Sequence, residues 1–205
     1  MTGNDAKYLT QKCAVSGTDM EDAKDPLIYS NLLSVLRSVM QSGSTTWHAI
    51  GFLKKMKSLD RGLSYAIRTD VNGLPDAVLW MTPIMKKRLI RYGNLLFVDA
   101  QLRHYNHFGW PYIGMTIKDG NNQIGVCCES IVTSEALDVY EWILRTMCDI
   151  VPNFSLSDIK IIVGDKFLRE SLIEKLGISD TATLRCDYWH LMAQVWPSHI
   201  SFGQH

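Results

Sequence analysis

The chain has 205 residues, of which 46% are hydrophobic and 20% charged, a balance typical of a globular protein and unlike that of disordered or fibrous chains. No apolar stretch approaches the roughly 18 residues that a membrane-spanning helix needs, and the first residues lack the apolar core of a signal peptide. We therefore expect an intracellular protein. Its five cysteines should be reduced there, with Cys127 and Cys128 filling the core.

The formal net charge of zero conceals an uneven distribution. Residues 54–103 carry ten Lys or Arg against four Asp or Glu, whereas residues 104–205 carry seven against twelve. A basic half beside an acidic half is typical of a phosphate-binding face next to a metal-binding site. An ordinary solvated surface is the alternative.

The N-terminal third begins without a regular pattern. Residues 1–26 are polar and acidic, and we interpret them as a flexible leader. Apolar residues at helical spacing then predict one helix over 27–40 and another from Thr45 or Thr46 to about Met56.

A hairpin and a basic helix follow. Alternating stretches at 63–69 and 77–81 flank a turn signal at 70–73 and predict a β-hairpin. A Thr-Pro pair opens a basic helix over 84–91, and a Tyr-Gly pair ends it. Residues 27–93 thus form a helical and hairpin lead-in.

From residue 94 the pattern predicts an α/β domain with a mixed sheet. Three apolar runs separated by short connections predict an antiparallel meander, after which helices and strands alternate. The predicted elements are strands at 95–99, 112–117 and 124–131, a helix capped by Ser134 that runs to about Ile150, a strand at 159–163, a helix at 167–176, a strand at 183–186 and a helix at 188–195.

Two aspartates occupy matching positions after apolar strands. Asp99 ends the first core strand, and Asp165 follows the fourth. A buried strand has little reason to end on an isolated carboxylate unless that charge is capped, paired or bound to metal. The alternative is that each aspartate caps the turn or helix that follows. The βββαβα order is that of an RNase H-like fold, in which the first and fourth strands lie side by side and parallel, so the two acids would converge on divalent metal ions.

Five short motifs occur in a fixed order: LLFVDA at 95–100, GWPY at 109–112, SE at 134–135 leading to YEWIL at 140–144, VGD at 163–165 and CDYWHL at 186–191. Together they resemble the transposase domain of Mutator-like elements (MULEs) and are similar to the RNase H-like domain of SWIM-type zinc-finger proteins. The resemblance covers about residues 46–197. It implies an RNase H-like core over 94–205 that is incomplete at its C-terminus.

The resemblance implies DNA strand cleavage and transfer in DNA transposition, with Mg²⁺ or Mn²⁺ as the cofactor. Asp99 and Asp165 match the first two acids of a DDE triad and would be catalytic metal ligands. The implied partner is DNA, as transposon ends or host DNA, rather than a membrane; the implied location is the nucleus, and a homo-oligomer is compatible with it. The third acid, a Glu, is expected beyond the Cys–His motif, but residues 188–205 contain no Asp or Glu. We therefore expect this chain to be inactive as it stands, and a domesticated, non-catalytic DNA- or protein-binding module is the alternative.

Two further groups of residues are candidates for binding. Cys186 and His190 form the Cys–His motif and have the chemistry of zinc ligands; because two ligands do not complete a site, a core cysteine and a hydrogen-bonded histidine are the alternative. Basic residues near the middle of the chain are candidates for neutralising DNA phosphates, with a solvated helix face as the alternative. These candidate DNA-binding residues are Lys86, Lys87, Arg88, Arg91 and Arg103.

Overall fold

The computed structural model describes residues 11–12, 46–101, 109–164 and 170–186. These residues form an α/β protein in which helices pack on both faces of one mixed sheet. The elements in chain order are β1 (Gln11–Lys12), α1 (Thr46–Leu59), β2 (Ser64–Thr69), β3 (Pro75–Met81), α2 (Pro83–Tyr92), β4 (Leu95–Gln101), β5 (Tyr112–Lys118), β6 (Ile124–Val132), α3 (Leu137–Ile150), β7 (Ile161–Gly164), α4 (Glu170–Leu176) and β8 (Thr183–Cys186). Across this described part, none of the helices has the length and apolar character required to cross a membrane.

The strands follow the order β1-β2-β3-β6-β5-β4-β7-β8 across the sheet. β4, β5 and β6 form the predicted antiparallel meander. After α3, β7 pairs with β4 in parallel, and after α4, β8 pairs with β7 in parallel. The side-by-side, parallel arrangement predicted for the first and fourth core strands is therefore confirmed.

The predicted hairpin forms and extends the core sheet. β2 and β3 pair antiparallel around a turn in which Asp70 Oδ1 accepts hydrogen bonds from the N–H groups of Asn72 and Leu74, each at 2.9 Å. Gly73 in this turn has a φ of 78°, a conformation that glycine adopts without strain. β3 then pairs with β6, so one sheet runs across the boundary that the sequence places at residue 93.

Side chains alternate between the two faces of the sheet, and each face has its own apolar cluster. On the first face, α2, α3 and α4 cover a large cluster to which Leu79, Leu96 and Val98 belong. We call this the α2–α4 face; Cys127 and Cys128 are fully buried there, as predicted. On the opposite face, which we call the α1 face, α1 packs against Trp80, Tyr112 and other residues of the sheet.

The predicted start of α3 was wrong. The helix begins at Leu137, with Ala136 rather than Ser134 at the N-cap and with no side-chain hydrogen bond there. A contact distant in sequence fixes this end instead, because Asp138 in the first turn accepts a hydrogen bond of 2.6 Å from Arg68 Nη2 on β2.

Three of the predicted features lie wholly or mostly outside the described residues. The helices predicted at 27–40 and 188–195 lie outside the described residues. The interpreted leader is described only at Gln11–Lys12, which pair with Ala66 and Ile67 of β2.

Candidate functional site

Asp99 lies inside β4, which corrects the prediction that it ends the strand. β4 continues to Gln101 because its pairing with β5 persists, through Asp99 opposite Gly114 and Gln101 opposite Tyr112. The parallel pairing with β7, in contrast, stops at Val98. Asp99 is therefore the first residue of β4 beyond the parallel ladder, and it is exposed.

The parallel ladder ends at the same level on all three strands. Val98 pairs with Gly164, and Gly164 pairs with Cys186. The residues that follow these three in the chain are Asp99, Asp165 and Asp187. Asp165 and Asp187 lie outside the described residues, so the convergence of Asp99 with Asp165 stays a prediction.

The basic helix α2 does not lie beside Asp99. Val98 belongs to the apolar cluster that also contains Met85 and Leu89 of α2. Because neighbouring side chains of a strand point to opposite faces, Asp99 lies on the α1 face, whereas α2 covers the other one. A phosphate held by the exposed side of α2 would thus be separated from Asp99 by the sheet.

Lys86 is held by the fold rather than presented to a ligand. Its Nζ donates hydrogen bonds to the Gly62 carbonyl and to Ser64 Oγ, both at 2.8 Å. Burial, together with the nearby ammonium of Lys57, lowers the pKa of Lys86 to about 8. These hydrogen bonds link Lys86 on α2 to the start of β2. Its contacts therefore do not support its assignment as a DNA ligand.

The other predicted DNA-binding residues divide into three groups. Arg88 packs along β6, and its Nη1 donates a hydrogen bond of 3.3 Å to the Val126 carbonyl. Lys87 and Arg91 are exposed on α2. Arg103 lies outside the described residues. Only Lys87 and Arg91, among those described, have the exposure that a phosphate contact requires.

Arg185 is an exposed basic residue on the same face as Asp99. It pairs with Val163 of β7, and Val163 pairs with Phe97 of β4. Phe97 and Asp99 are alternate residues of one strand and share a face, so Arg185 shares it too. At about 4.8 Å between strands, Arg185 lies two strands or about 10 Å across the sheet from β4. Sequence reasoning missed it, since a lone arginine in a short strand carries no distinguishing signal.

Glu129 is a buried carboxylate in the same row of the sheet as Asp99. It pairs with Gly114, and Gly114 pairs with Asp99. The side chain is 5% exposed, and its two oxygens accept hydrogen bonds from Trp80 Nε1 and from Tyr112 Oη, each at 2.8 Å. The sequence held a signal that was missed, because this is the single charged residue in the apolar run of β6.

Gly114 makes room for the Tyr112 ring beside the two carboxylates. A Cβ atom at position 114 would lie 3.2 Å from Cε1 and 3.3 Å from Oη of Tyr112. The phenol therefore covers Gly114 on the α1 face while its hydroxyl reaches Glu129. This packing leaves Tyr112 only 7% exposed.

The residues that could hold a metal ion are only partly described. Asp99 offers an exposed hard oxygen ligand of the type that Mg²⁺ and Mn²⁺ prefer, so its chemistry fits the implied cofactor. Within the described ranges, no three His, Cys, Asp or Glu side chains cluster as metal ligands. Cys186 is exposed at the end of β8, and His190 lies outside those ranges.

Comparisons of the chain with protein-family models, with curated proteins and with solved structures gave no match. The class of protein is therefore defined by architecture and site alone. It is an α/β domain on one mixed sheet, with an exposed carboxylate where the parallel ladder ends.

Proposed function

We propose that the chain is an RNase H-like domain of the MULE transposase type, which binds a divalent metal ion and DNA for strand cleavage and transfer in DNA transposition in the nucleus. The sheet supports the fold part of this proposal. An antiparallel meander is followed by a fourth core strand that lies parallel beside the first, which is the arrangement an RNase H-like fold requires.

The observation that carries the proposal is the pairing of Val98 with Gly164. Each of these residues is directly followed in the chain by an aspartate, and consecutive Cα atoms are only about 3.8 Å apart. The proposal assigns Asp99 and Asp165 as ligands of a shared metal site. Mg²⁺ keeps several of its waters, so a small number of carboxylates is sufficient to hold it.

The chemistry divides between the metal and the chain. In such a site the metal activates the attacking oxygen and stabilises the departing one. The chain's own acids would fix the metal at the edge of the parallel ladder. Arg185, on the face that carries Asp99, is suited to hold a DNA phosphate near this edge.

A non-catalytic binding module is the second candidate function. It is favoured by one observation, namely that Ala100 and Gln101 follow Asp99 where the family usually has a Thr-Tyr pair after its first acid. In this candidate the same face binds DNA or protein without cutting.

The proposal is tested by Mn²⁺ binding, followed by electron paramagnetic resonance. The parent chain should bind Mn²⁺, and Asp99→Asn and Asp165→Asn should each weaken binding by about tenfold or more, because each removes a carboxylate ligand. Asp180→Asn is the matched control. Asp180 is an exposed aspartate that precedes the amino end of β8, whereas Asp99 follows the parallel ladder at the carboxyl end of the strands. Equal Mn²⁺ affinity in all four proteins would refute the metal site.

A further inference from the structure

A polar cavity lies at the amino ends of β4 and β7, at the other end of these strands from Asp99. Its volume is about 330 Å³, and its walls come from the end of α2, from the loop that leads to β4 and from the segment between α3 and β7. This volume is at the lower end of the range for small-molecule sites. A strand rises about 3.3 Å per residue, so Asn94 at the cavity lies about 16 Å from Asp99. The cavity is therefore separate from the proposed metal site.

Two contacts hold the walls of this cavity together. The Lys160 N–H donates a hydrogen bond of 2.9 Å to the Asn94 carbonyl, which joins the start of β7 to the start of β4. The Phe154 ring packs against Gly93, where an added Cβ atom would lie 2.5 Å from the ring atom Cε2. Phe154 itself is buried. The packing of the chain therefore forms the cavity without help from a ligand.

The cavity is lined by one charge of each sign. Arg91 on α2 supplies a guanidinium, and Asp158, in the 3₁₀-helix Leu156–Asp158, supplies a carboxylate. Ser155 donates hydrogen bonds to Asp158 Oδ2 from its N–H at 2.8 Å and from its hydroxyl at 3.0 Å. These bonds lower the pKa of Asp158, so its carboxyl group is ionised at neutral pH. Within the described ranges neither charge forms an ion pair with the other, and a ligand can bind both.

Two side-chain amides complete the polar lining. Asn94 and Asn153 both border the cavity, and both are exposed. Neither amide forms a hydrogen bond with another residue in the described part of the chain. Each offers a donor and an acceptor, so the pair can bind uncharged polar atoms of a ligand. Ile90, which is 38% exposed, supplies an apolar contact at the same cavity.

The two charges determine which class of ligand fits. A simple anion such as phosphate would be attracted by Arg91 but repelled by Asp158, and a simple cation would meet the reverse. A small molecule that carries both a carboxylate and an ammonium group is attracted by both residues. Hydrogen bonds between ionised groups are about twice as strong as those between neutral groups, so the two ends of such a molecule would dominate its binding.

We propose that this cavity binds a free amino acid, with Arg91 holding its carboxylate and Asp158 holding its ammonium group. Asn94 and Asn153 bind the remaining polar atoms of the ligand. The inference goes beyond the proposed function and does not depend on it, because the cavity and Asp99 lie at opposite ends of β4.

The first experiment is a titration of the ¹⁵N-labelled chain with each of the natural L-amino acids, followed by nuclear magnetic resonance. At least one of them should shift the amide signals of Gly93, Asn94 and Phe154 with a common saturation curve. Acetylating the amine of that amino acid, or amidating its carboxylate, should each weaken binding by about tenfold or more. The proposal is overturned if no amino acid gives saturable shifts, if both capped forms bind as tightly as the free one, or if inorganic phosphate binds more tightly than any of them.

The second experiment measures the affinity of variants for the same amino acid. Arg91→Gln and Asp158→Asn should each weaken binding by about tenfold or more, and the latter keeps an oxygen that can accept from Ser155. Lys87→Gln and Asp180→Asn are the matched controls, because both residues are exposed and neither lines the cavity. The amidated amino acid should bind the parent and Arg91→Gln about equally, since it lacks the carboxylate that Arg91 holds. Parent-like affinity for the free amino acid in folded Arg91→Gln or Asp158→Asn would refute the proposal.

Discussion

Asp99 and Glu129 both pair with Gly114, one from each side, so two carboxylates in contrasting environments share one row of the sheet. Asp99 is exposed, whereas Glu129 is buried and bound by two donors. This row joins the core strands to the N-terminal hairpin, since Trp80 on β3 continues it. The hairpin therefore contributes directly to the surroundings of the candidate site.

Arg185→Gln should weaken DNA binding more than Arg91→Gln does. Both changes remove one exposed positive charge, but Arg185 lies on the face of Asp99 and Arg91 belongs to α2 on the other face. Loss of one phosphate contact should lower the slope of log affinity against log salt by about 0.9 for duplex DNA. Fluorescence anisotropy at several salt concentrations measures both the DNA affinity and its dependence on salt. A larger loss of DNA affinity in Arg91→Gln than in Arg185→Gln would instead indicate that α2 carries the DNA-binding surface.

Arg68→Met should lower the free energy of unfolding by about 3 kcal/mol, because it removes the buried cation that pairs with the carboxylates of Asp76 and Asp138. Arg68 is 4% exposed, and it forms ion pairs of 3.2 Å with Asp76 and 2.6 Å with Asp138. Arg145→Met is the control: Arg145 is half exposed and pairs with Glu141 one turn away, an interaction worth at most about 1 kcal/mol. Urea unfolding of the parent and both variants measures the free energies of unfolding. Similar losses of stability in Arg68→Met and Arg145→Met would contradict the larger contribution of the Arg68 ion pairs.

Asp76 should make the chain less stable as the pH rises above 3.8 and through the raised pKa of its carboxyl group. Burial raises the pKa of the Asp76 carboxyl above its ordinary 3.8, although Arg68 opposes the shift. The folded chain therefore binds a proton more tightly at this group than the unfolded chain. This contribution to stability is fully present below pH 3.8 and is lost as the pH rises through the folded pKa. The unfolding free energy of the parent minus that of Asp76→Asn should fall over that interval. If this difference rises instead, folding lowers the pKa of Asp76.

The 205-residue chain should not nick plasmid DNA with Mg²⁺ or Mn²⁺, because residues 188–205 lack the acid that a DDE site needs. The control is Asp99→Ala. Nicking by the parent that disappears in this variant would establish a complete site. Asp187→Asn would then test whether Asp187, which follows the residue paired with Gly164, supplies the third acid.

Local signals in the sequence were sufficient where short-range contacts decide the structure. α2 is bounded as predicted, since Thr82 Oγ1 accepts a hydrogen bond from the Met85 N–H and the Gly93 N–H reaches the Leu89 carbonyl. The antiparallel meander also followed from apolar runs separated by short turns. The parallel pairing of the first and fourth core strands followed from the βββαβα order.

The features that the sequence did not predict depend on contacts between distant residues. β4 extends past Asp99 because β5 offers partners there, which the burial pattern of β4 alone does not indicate. Glu129 became part of the site only when three separate strand pairs aligned it with Trp80, Gly114 and Asp99. The placement of α2 on the face away from Asp99 likewise required the packing of Met85 and Leu89.

The pairing of β3 with β6 has a practical consequence for shortened versions of this protein. A fragment that began at residue 94, where the sequence places the start of the core domain, would lose Trp80 and leave β6 as an open edge. Such an edge presents unpaired backbone groups and promotes association between molecules. Recombinant fragments intended for crystallisation or metal binding should therefore begin before Thr46, so that α1 and the hairpin remain attached.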